Sequence, residues 1–200
     1  MKRIKKFLLH TVAFCLIALL TVSCELFGLE YQTDYENKTS SVEKELGISC
    51  FDFIESRRGL DFSLLYEAIM LSDMKSFYET DGLTFFLLTD DDFASWLVSY
   101  RYTSVKSTPK AVLQNFMKSY TVKGLYSSAD LTTSLIDVIT LDEIKIIRMG
   151  LYYMPSTSTP NLHQFTVGYV KADGTVNFRG AKTTNLKATN GIMHILREKF

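Results

Sequence analysis

The sequence predicts an α+β fold in which helices come mainly from the first half of the folded region and strands from the second. Apolar residues recur every three or four positions between Asp61 and Tyr120, a spacing typical of amphipathic helices. Beyond Asp130, short apolar runs alternate with turn signals, as strands do. Because the two element types are segregated along the chain, we expect helices packed on a β-sheet or sandwich.

The N-terminal residues have the composition of an export signal. Basic residues precede an apolar run from Phe7 to Leu20, and small residues follow that run. The run is shorter than the roughly 20 apolar residues of a transmembrane helix. We therefore assign residues 1–23 to a signal peptide.

Cys24 follows Val22 and Ser23, and this tail resembles the lipobox of bacterial lipoproteins. The resemblance implies that Cys24 carries a palmitate-type lipid anchor and becomes the mature N-terminus in the membrane of the bacterial envelope. An unmodified cysteine after a plain secretory signal is the alternative. Several acyl chains, each CH₂ group contributing about 0.8 kcal/mol, hold a protein stably on a bilayer.

Glu25 stands directly after the lipid cysteine. It is not the aspartate often linked with retention in the inner membrane, so we expect an outer membrane lipoprotein. Both the periplasmic and the cell-surface face are compatible with the sequence. Residues 24–45 are polar and weakly patterned, which is typical of a flexible lipid-anchored linker.

Charge and cysteine content exclude several kinds of partner. The chain has 22 basic and 22 acidic residues, and removal of the four basic residues of the leader leaves 18 against 22. With no basic stripe, we expect no nucleic-acid partner. Cys50 is the one cysteine left after Cys15 and Cys24, so neither an internal disulfide nor a zinc site is expected. We interpret it as a small buried apolar side chain.

Two helix starts and a strand stand out in the first half. Helical spacing covers residues 61–74, and the apolar run 84–88 predicts a buried strand. Thr89 and Asp92 have the spacing of a capping box at the start of the next helix. Pro109 predicts another helix start because proline suits the first helical position.

The second half contains apolar runs bounded by turn residues. The runs expected to form strands are 141–147, 151–154, 165–170, 175–178 and 192–196. Asp173-Gly174 predicts a hairpin turn between two of them. We expect Asn190-Gly191 to supply the positive φ values of a tight turn before the last strand.

Three segments, taken in order, resemble the signature blocks of the fasciclin-like domain family of adhesion modules. They are residues 84–93 (TFFLLTDDDF), 120–131 (YTVKGLYSSADL) and 186–196 (LKATNGIMHIL). Their spacing matches one complete domain over residues 46–200. The structural motif positions in these blocks are Thr84, Phe86, Thr89, Asp90, Phe93, Tyr120, Gly124, Asp130, Asn190, Gly191 and His194.

The resemblance implies a compact wedge of helices and β-sheet and an adhesion-type binding role. We expect contact with a protein or a glycan at the cell envelope, without catalysis, through a surface that the sequence does not identify. A structural accessory subunit of an envelope complex is the alternative function.

Three residue sets have both a chemical and a structural interpretation. Asp90, Asp91 and Asp92 could bind a hard cation, and His163 or His194 could serve a Ser-His-Asp site. Helix capping and a hydrogen-bonded structural histidine are the simpler explanations, and no Gly-x-Ser-x-Gly or HExxH motif is present. We therefore expect no metal, no cofactor and no enzyme activity.

Four tyrosines could stack on sugars or simply pack against the protein. They are Tyr100, Tyr102, Tyr152 and Tyr153.

Overall fold

A computed structural model describes residues 44–154 and 162–200. The leader, Cys24 and most of the expected linker lie outside the described residues. Within them, helices precede most of the strands, which confirms the α+β class. The helices are α1 Cys50–Ser56, α2 Ser63–Leu71, α3 Asp90–Ser99 and α4 Lys110–Ser119, with a 3₁₀ helix at Ser76–Glu79.

Eight strands form one mixed sheet. They are β1 Lys44–Glu45, β2 Leu83–Leu87, β3 Thr121–Lys123, β4 Ile136–Ile139, β5 Ile146–Met154, β6 Leu162–Tyr169, β7 Arg179–Lys187 and β8 Gly191–Leu196. The order is β3-β2-β8-β7-β6-β5-β4, with β1 paired to β7. β3 and β4, at the two ends of this order, meet through a bridge between Val122 and Thr140, so the sheet nearly closes on itself.

Every residue of the parallel pair β2 and β8 is buried. Burial on both faces explains why the run 84–88 is continuously apolar, without the alternation of a half-exposed strand. This pairing sets Phe86 opposite His194. It thereby brings two of the sequence blocks together although they are far apart along the chain.

Aromatic residues join the helices to one another. The ring centroid of Phe116 on α4 lies 4.9 Å from that of Phe93 and 4.4 Å from that of Trp96, both on α3. Such close aromatic pairs add to the free energy gained from burial alone. The helix pair therefore forms a rigid wall beside the sheet.

The predicted strand over 141–147 is wrong in its first part, because residues 140–145 form a turn. Asp142 Oδ1 accepts hydrogen bonds from the backbone N–H of Ile144 at 3.0 Å and of Lys145 at 3.1 Å. The Asp142 side chain thus gives these two N–H groups a hydrogen-bond partner that competes with strand pairing. Strand β5 begins only at Ile146 and continues through the second predicted run.

The hairpin turn at Asp173-Gly174 is confirmed, and Gly174 takes a positive φ of 78° there. The predicted strand over 175–178 is reduced to one bridge between Val170 and Val176. A Cβ on Gly168 would lie 2.5 Å from the carbonyl oxygen of Asn177. The segment around Asn177 therefore passes too close to β6 to form a regular strand ladder with it. Strand β7 therefore starts at Arg179.

Lys44 and Glu45, the last two residues of the expected linker, form the short strand β1. They pair in parallel with Leu186 and Lys187 of β7, and the Lys187 ammonium lies 3.4 Å from the Glu45 carboxylate. Among the helices that the structure describes, none has the length and apolar character needed to span a bilayer.

Candidate functional site

The three sequence blocks meet at the backbone of Tyr126. The N–H of Tyr126 donates to Thr84 Oγ1 at 2.9 Å, and the Thr84 hydroxyl donates to the carbonyl oxygen of Gly124 at 2.7 Å. His194 Nε2 donates to the carbonyl oxygen of Tyr126 at 2.8 Å. Blocks one and three therefore hold the middle block from both sides.

His194 is completely enclosed between aromatic rings. Its ring is nearly parallel to that of Phe165, with centroids 4.4 Å apart, and it also stacks on Phe86. Because a carbonyl oxygen only accepts, Nε2 carries the proton, and Nδ1 has no hydrogen-bond partner among the described residues. Burial lowers the pKa of the imidazole to about 4, so the ring is neutral at physiological pH. In the described part of the chain it contacts no serine hydroxyl and no carboxylate. The side chain of His163 is outside the described residues.

Thr89 is the N-cap of α3, as predicted, but the predicted capping box does not form. The Thr89 hydroxyl donates to the Asp92 carboxylate at 2.8 Å, and no backbone N–H donates to it. The Lys182 ammonium contacts both groups, at 3.0 and 3.1 Å. The Thr89 hydroxyl and the Asp92 carboxylate therefore contact Lys182 of β7, and these contacts link α3 to the sheet.

Asp90 caps a helix other than its own. Its carboxylate accepts from the N–H of Ser63 at 3.1 Å and of Leu64 at 2.8 Å, at the start of α2. A carboxylate is favourable there because the helix N-terminus carries partial positive charge. Asp90 and Asp92 are therefore engaged in capping and ion pairing. Among the described residues, no group of three or more His, Cys, Asp or Glu is arranged to hold a metal.

Asn190 links the last block to the N-terminal helices. Its side-chain oxygen accepts from the N–H of Cys50 at 2.8 Å, and its amide nitrogen donates to the carbonyl oxygens of Tyr78 and Thr80. Cys50 is fully buried, as expected, and burial raises the pKa of its thiol to about 12. The thiol therefore stays protonated.

Gly191 is required for space, and the expectation of positive φ values at Asn190-Gly191 is wrong. Neither residue lies in that region. A Cβ on Gly191 would instead lie 2.5 Å from the carbonyl oxygen of Leu83 and 3.2 Å from the ring of Phe85. The glycine allows β2 and β8 to approach each other at their start.

The middle block is shaped by its own turns. Gly124 has a φ of 108°, which favours glycine, and the Asp130 carboxylate accepts from the N–H of Ser127 at 3.0 Å. Asn185, which the sequence analysis did not single out, exchanges two hydrogen bonds with Ser128. Asn185 has a positive φ of 59° beside a β-bulge, a region that asparagine tolerates, and the sequence alone does not reveal this conformation.

The remaining motif positions are part of the core. Phe93 is fully buried between Trp96 and Phe116. Tyr120 stacks on Phe200 with centroids 4.8 Å apart, and its hydroxyl accepts from the N–H of Phe200. The motif residues therefore build the scaffold, and a binding surface has to be sought among exposed side chains.

An exposed apolar surface lies at the edge strand β4 and the turn that follows it. Ile139 and Ile146 face each other across β4 and β5, and Ile144 lies in the turn between them. The exposed fractions are 61% for Ile139 and 83% for Ile144. We call Ile139, Ile144 and Ile146 the isoleucine patch.

A pocket of about 240 Å³ adjoins this patch, and we call it the α3–α4 pocket. Its apolar side includes Trp96, Tyr100 and Phe116, and Ile144 of the isoleucine patch forms part of its rim. Its polar side chains include Asn115, Asp142 and Lys145. Sequence analysis missed Trp96, Asn115 and Lys145, because only the fold brings α3, α4 and the β4–β5 turn together.

The four tyrosines weighed for sugar stacking do not act as one set. Tyr100 is 56% exposed and lines the α3–α4 pocket, whereas Tyr102 is half-buried against the core. Tyr152 is 62% exposed on β5 and does not line that pocket. The side chain of Tyr153 lies outside the described residues.

Comparison with solved structures finds a fasciclin-type neighbour. No protein-family model matches the chain, and no curated protein matches it. A FAS1 domain pair from the insect cell adhesion molecule Fasciclin I is similar, with a TM-score of 0.47 and 14% sequence identity. The match covers 66% of this chain and 42% of that chain, so this chain spans less than half the length of that structure. This structural neighbour carries the domain type that the three sequence blocks resemble.

Proposed function

We propose that this protein is a lipid-anchored, adhesion-type binding module of the bacterial envelope that contacts a protein or a glycan and performs no catalysis. The observation that carries the proposal is the isoleucine patch. Ile139 lies on an edge strand, and both Ile139 and Ile144 are mostly exposed. Edge strands of monomeric proteins are usually protected by charge or by short length, and exposed apolar clusters mark interaction surfaces.

The anchor restricts where such a contact forms. A lipid on Cys24 and a flexible linker of about 20 residues give a root-mean-square reach of roughly 25 Å. The partner then lies close to the membrane, and the outer membrane is the membrane that Glu25 favours. Protease treatment of intact cells distinguishes a surface-facing domain, which is cut, from a periplasmic one, which is not.

The binding experiment uses the full-length protein purified in detergent. Its binding to intact cells, to immobilised matrix proteins and to immobilised glycans is measured over a range of concentrations. The proposal predicts saturable binding to at least one of these surfaces. Binding that is absent, or that rises linearly without saturation on all of them, contradicts it.

The second candidate is a structural accessory subunit of an envelope complex, and the same exposed patch favours it because subunits also bury apolar edges. This candidate predicts that the protein leaves native membranes with fixed partners at constant stoichiometry. A binding module predicts recovery as a single species that binds its partner only when the partner is added.

A further inference from the structure

We propose that the α3–α4 pocket binds one sugar ring of a glycan, against the ring face of Tyr100. This inference deepens the proposed function and rests on it, because it names the class of ligand that the adhesion-type module takes. It also gives a role to an exposed tyrosine and to polar groups that make no hydrogen bond with a described residue.

The first step concerns the aromatic wall. The ring of Tyr100 is more than half exposed, and its centroid lies 5.1 Å from that of Trp96, which lies 4.4 Å from that of Phe116. Trp96 and Phe116 are buried, and Tyr100 contacts the first of them. An aromatic face is electron-rich, so it attracts the weakly positive C–H groups on one side of a pyranose ring.

The second step concerns polar groups without partners. Among the described residues, the indole N–H of Trp96, the amide of Asn115 and the hydroxyl of Tyr100 make no hydrogen bond. The Trp96 N–H is not fully enclosed, and Trp96 lines the pocket. Donors and acceptors grouped around an aromatic wall suit the hydroxyl groups of a sugar.

The third step concerns Lys145, whose ammonium lies 4.6 Å from the ring centroid of Tyr169. In the described part of the chain no carboxylate lies within ion-pair distance of it, and partial burial lowers its pKa. Asp142 lies on the same side, with Oδ1 already accepting from two backbone N–H groups. Its other oxygen makes no hydrogen bond with a described residue, which adds an acceptor beside the donor.

The fourth step concerns size. At about 240 Å³ the pocket is smaller than the roughly 300–1,000 Å³ of sites for drug-sized ligands. It therefore accommodates one ring and not a folded oligosaccharide. We expect a single site to be weak and strong attachment to come from many anchored copies on one membrane.

Trp96 makes the test direct, because it is the single tryptophan of the chain. An array of neutral hexose, N-acetylhexosamine and uronic acid oligomers is probed with full-length protein in detergent. Each oligomer that binds is then titrated while the emission of Trp96 is recorded. The proposal predicts a saturable change in emission for at least one class.

The variants are Tyr100→Ala and the matched control Tyr152→Ala, since both tyrosines are similarly exposed. We expect Tyr100→Ala to weaken glycan binding at least ten-fold, and Tyr152→Ala to change it by less than two-fold. The melting temperature of each variant is measured as well. If Tyr100→Ala unfolds, Asn115→Ala replaces it, because Asn115 is exposed and makes no hydrogen bond with a described residue.

Binding to target cells separates failure of this inference from failure of the proposed function. Cells are treated with periodate, which destroys sugar diols, or with protease. Loss of binding after periodate, together with loss in Tyr100→Ala, supports the sugar site. Binding that survives periodate and Tyr100→Ala but not protease overturns the sugar site and leaves a protein-binding module. Absence of binding to every cell and every glycan overturns both.

Discussion

Thr84 and His194 hold opposite sides of one peptide segment. The hydroxyl of Thr84 accepts from the N–H of Tyr126 at 2.9 Å, and Nε2 of His194 donates to the carbonyl of the same residue at 2.8 Å. These two residues come from the first and last sequence blocks, and the peptide they hold comes from the middle one. The three blocks are therefore joined by a part-buried hydrogen-bond network.

The Thr84 hydroxyl makes both of its hydrogen bonds to part-buried backbone groups. Thr84→Val keeps the shape and leaves the Tyr126 N–H and the Gly124 carbonyl unsatisfied, so we expect a loss of about 1–3 kcal/mol of unfolding free energy. Urea denaturation measures it. The control is Thr183→Val, an exposed strand threonine whose replacement costs less than about 0.5 kcal/mol. Equal effects of the two substitutions contradict the network.

His194 makes stability depend on pH in a defined direction. Its folded pKa of about 4 lies below the ordinary value of 6.5, so the unfolded chain takes up the proton first as the pH falls. The stabilisation is complete above pH 6.5 and is lost progressively towards pH 4, by about 3 kcal/mol in total.

His194→Gln provides the comparison, because its amide can still donate to the Tyr126 carbonyl but does not titrate in this range. We expect the variant to be less stable at pH 7.5, since the stacking on Phe165 is lost. The difference from wild type shrinks as the pH approaches 4.5. Urea denaturation at pH 7.5 and at pH 4.5 measures the difference in unfolding free energy between the variant and wild type. A difference that is independent of pH argues against a buried neutral imidazole.

The close packing at Gly191 is tested by adding a single methyl group. Gly191→Ala places a Cβ against the carbonyl oxygen of Leu83, and overpacking of this kind costs roughly 1–3 kcal/mol. For a domain of this size that corresponds to about 3–10 °C in Tm. Thermal unfolding followed by circular dichroism measures the shift. An unchanged Tm would show that β2 and β8 can separate at no cost.

Local patterns in the sequence were sufficient for strand β2 and for the start of α3. They placed the start of α4 one residue early, since Pro109 is its N-cap and not its first residue. The apolar run 84–88 predicted β2 because a strand buried on both faces has no polar positions. Thr89 was correctly expected at the start of α3. A second start signal, Ser49 with Asp52, forms the full capping box and carries the same spacing, so the same rule would have found it.

Contacts between distant residues could not be predicted in this way. Thr89 and Asp92 do not form the predicted capping box but contact Lys182, which is 90 residues beyond Asp92. The space around Gly191 depends on Leu83, which pairs with it only in the folded sheet. The α3–α4 pocket likewise combines residues from three elements. Each outcome depends on tertiary neighbours that a sequence window does not contain.

The lipid anchor is tested by metabolic labelling with radiolabelled palmitate. We expect wild type to incorporate the label and Cys24→Ala to incorporate none, because a lipobox-like tail would direct acylation to that thiol. Cys15→Ala is the control, since Cys15 lies in the expected signal peptide, whose removal would take it out of the mature protein. We expect this variant to be labelled like wild type. Labelling of Cys24→Ala would remove the basis for the anchor.

The most direct measurement for the proposed binding module is the affinity of an isoleucine-patch variant for intact cells. Ile139→Ser/Ile144→Ser removes apolar side chains that would each contribute about 1.5–3 kcal/mol when buried by a partner. The control is Leu60→Ser, an exposed leucine outside the patch. We predict binding at least ten-fold weaker for the patch variant, with unchanged Tm, and wild-type binding for the control. Wild-type affinity in the patch variant would contradict the account.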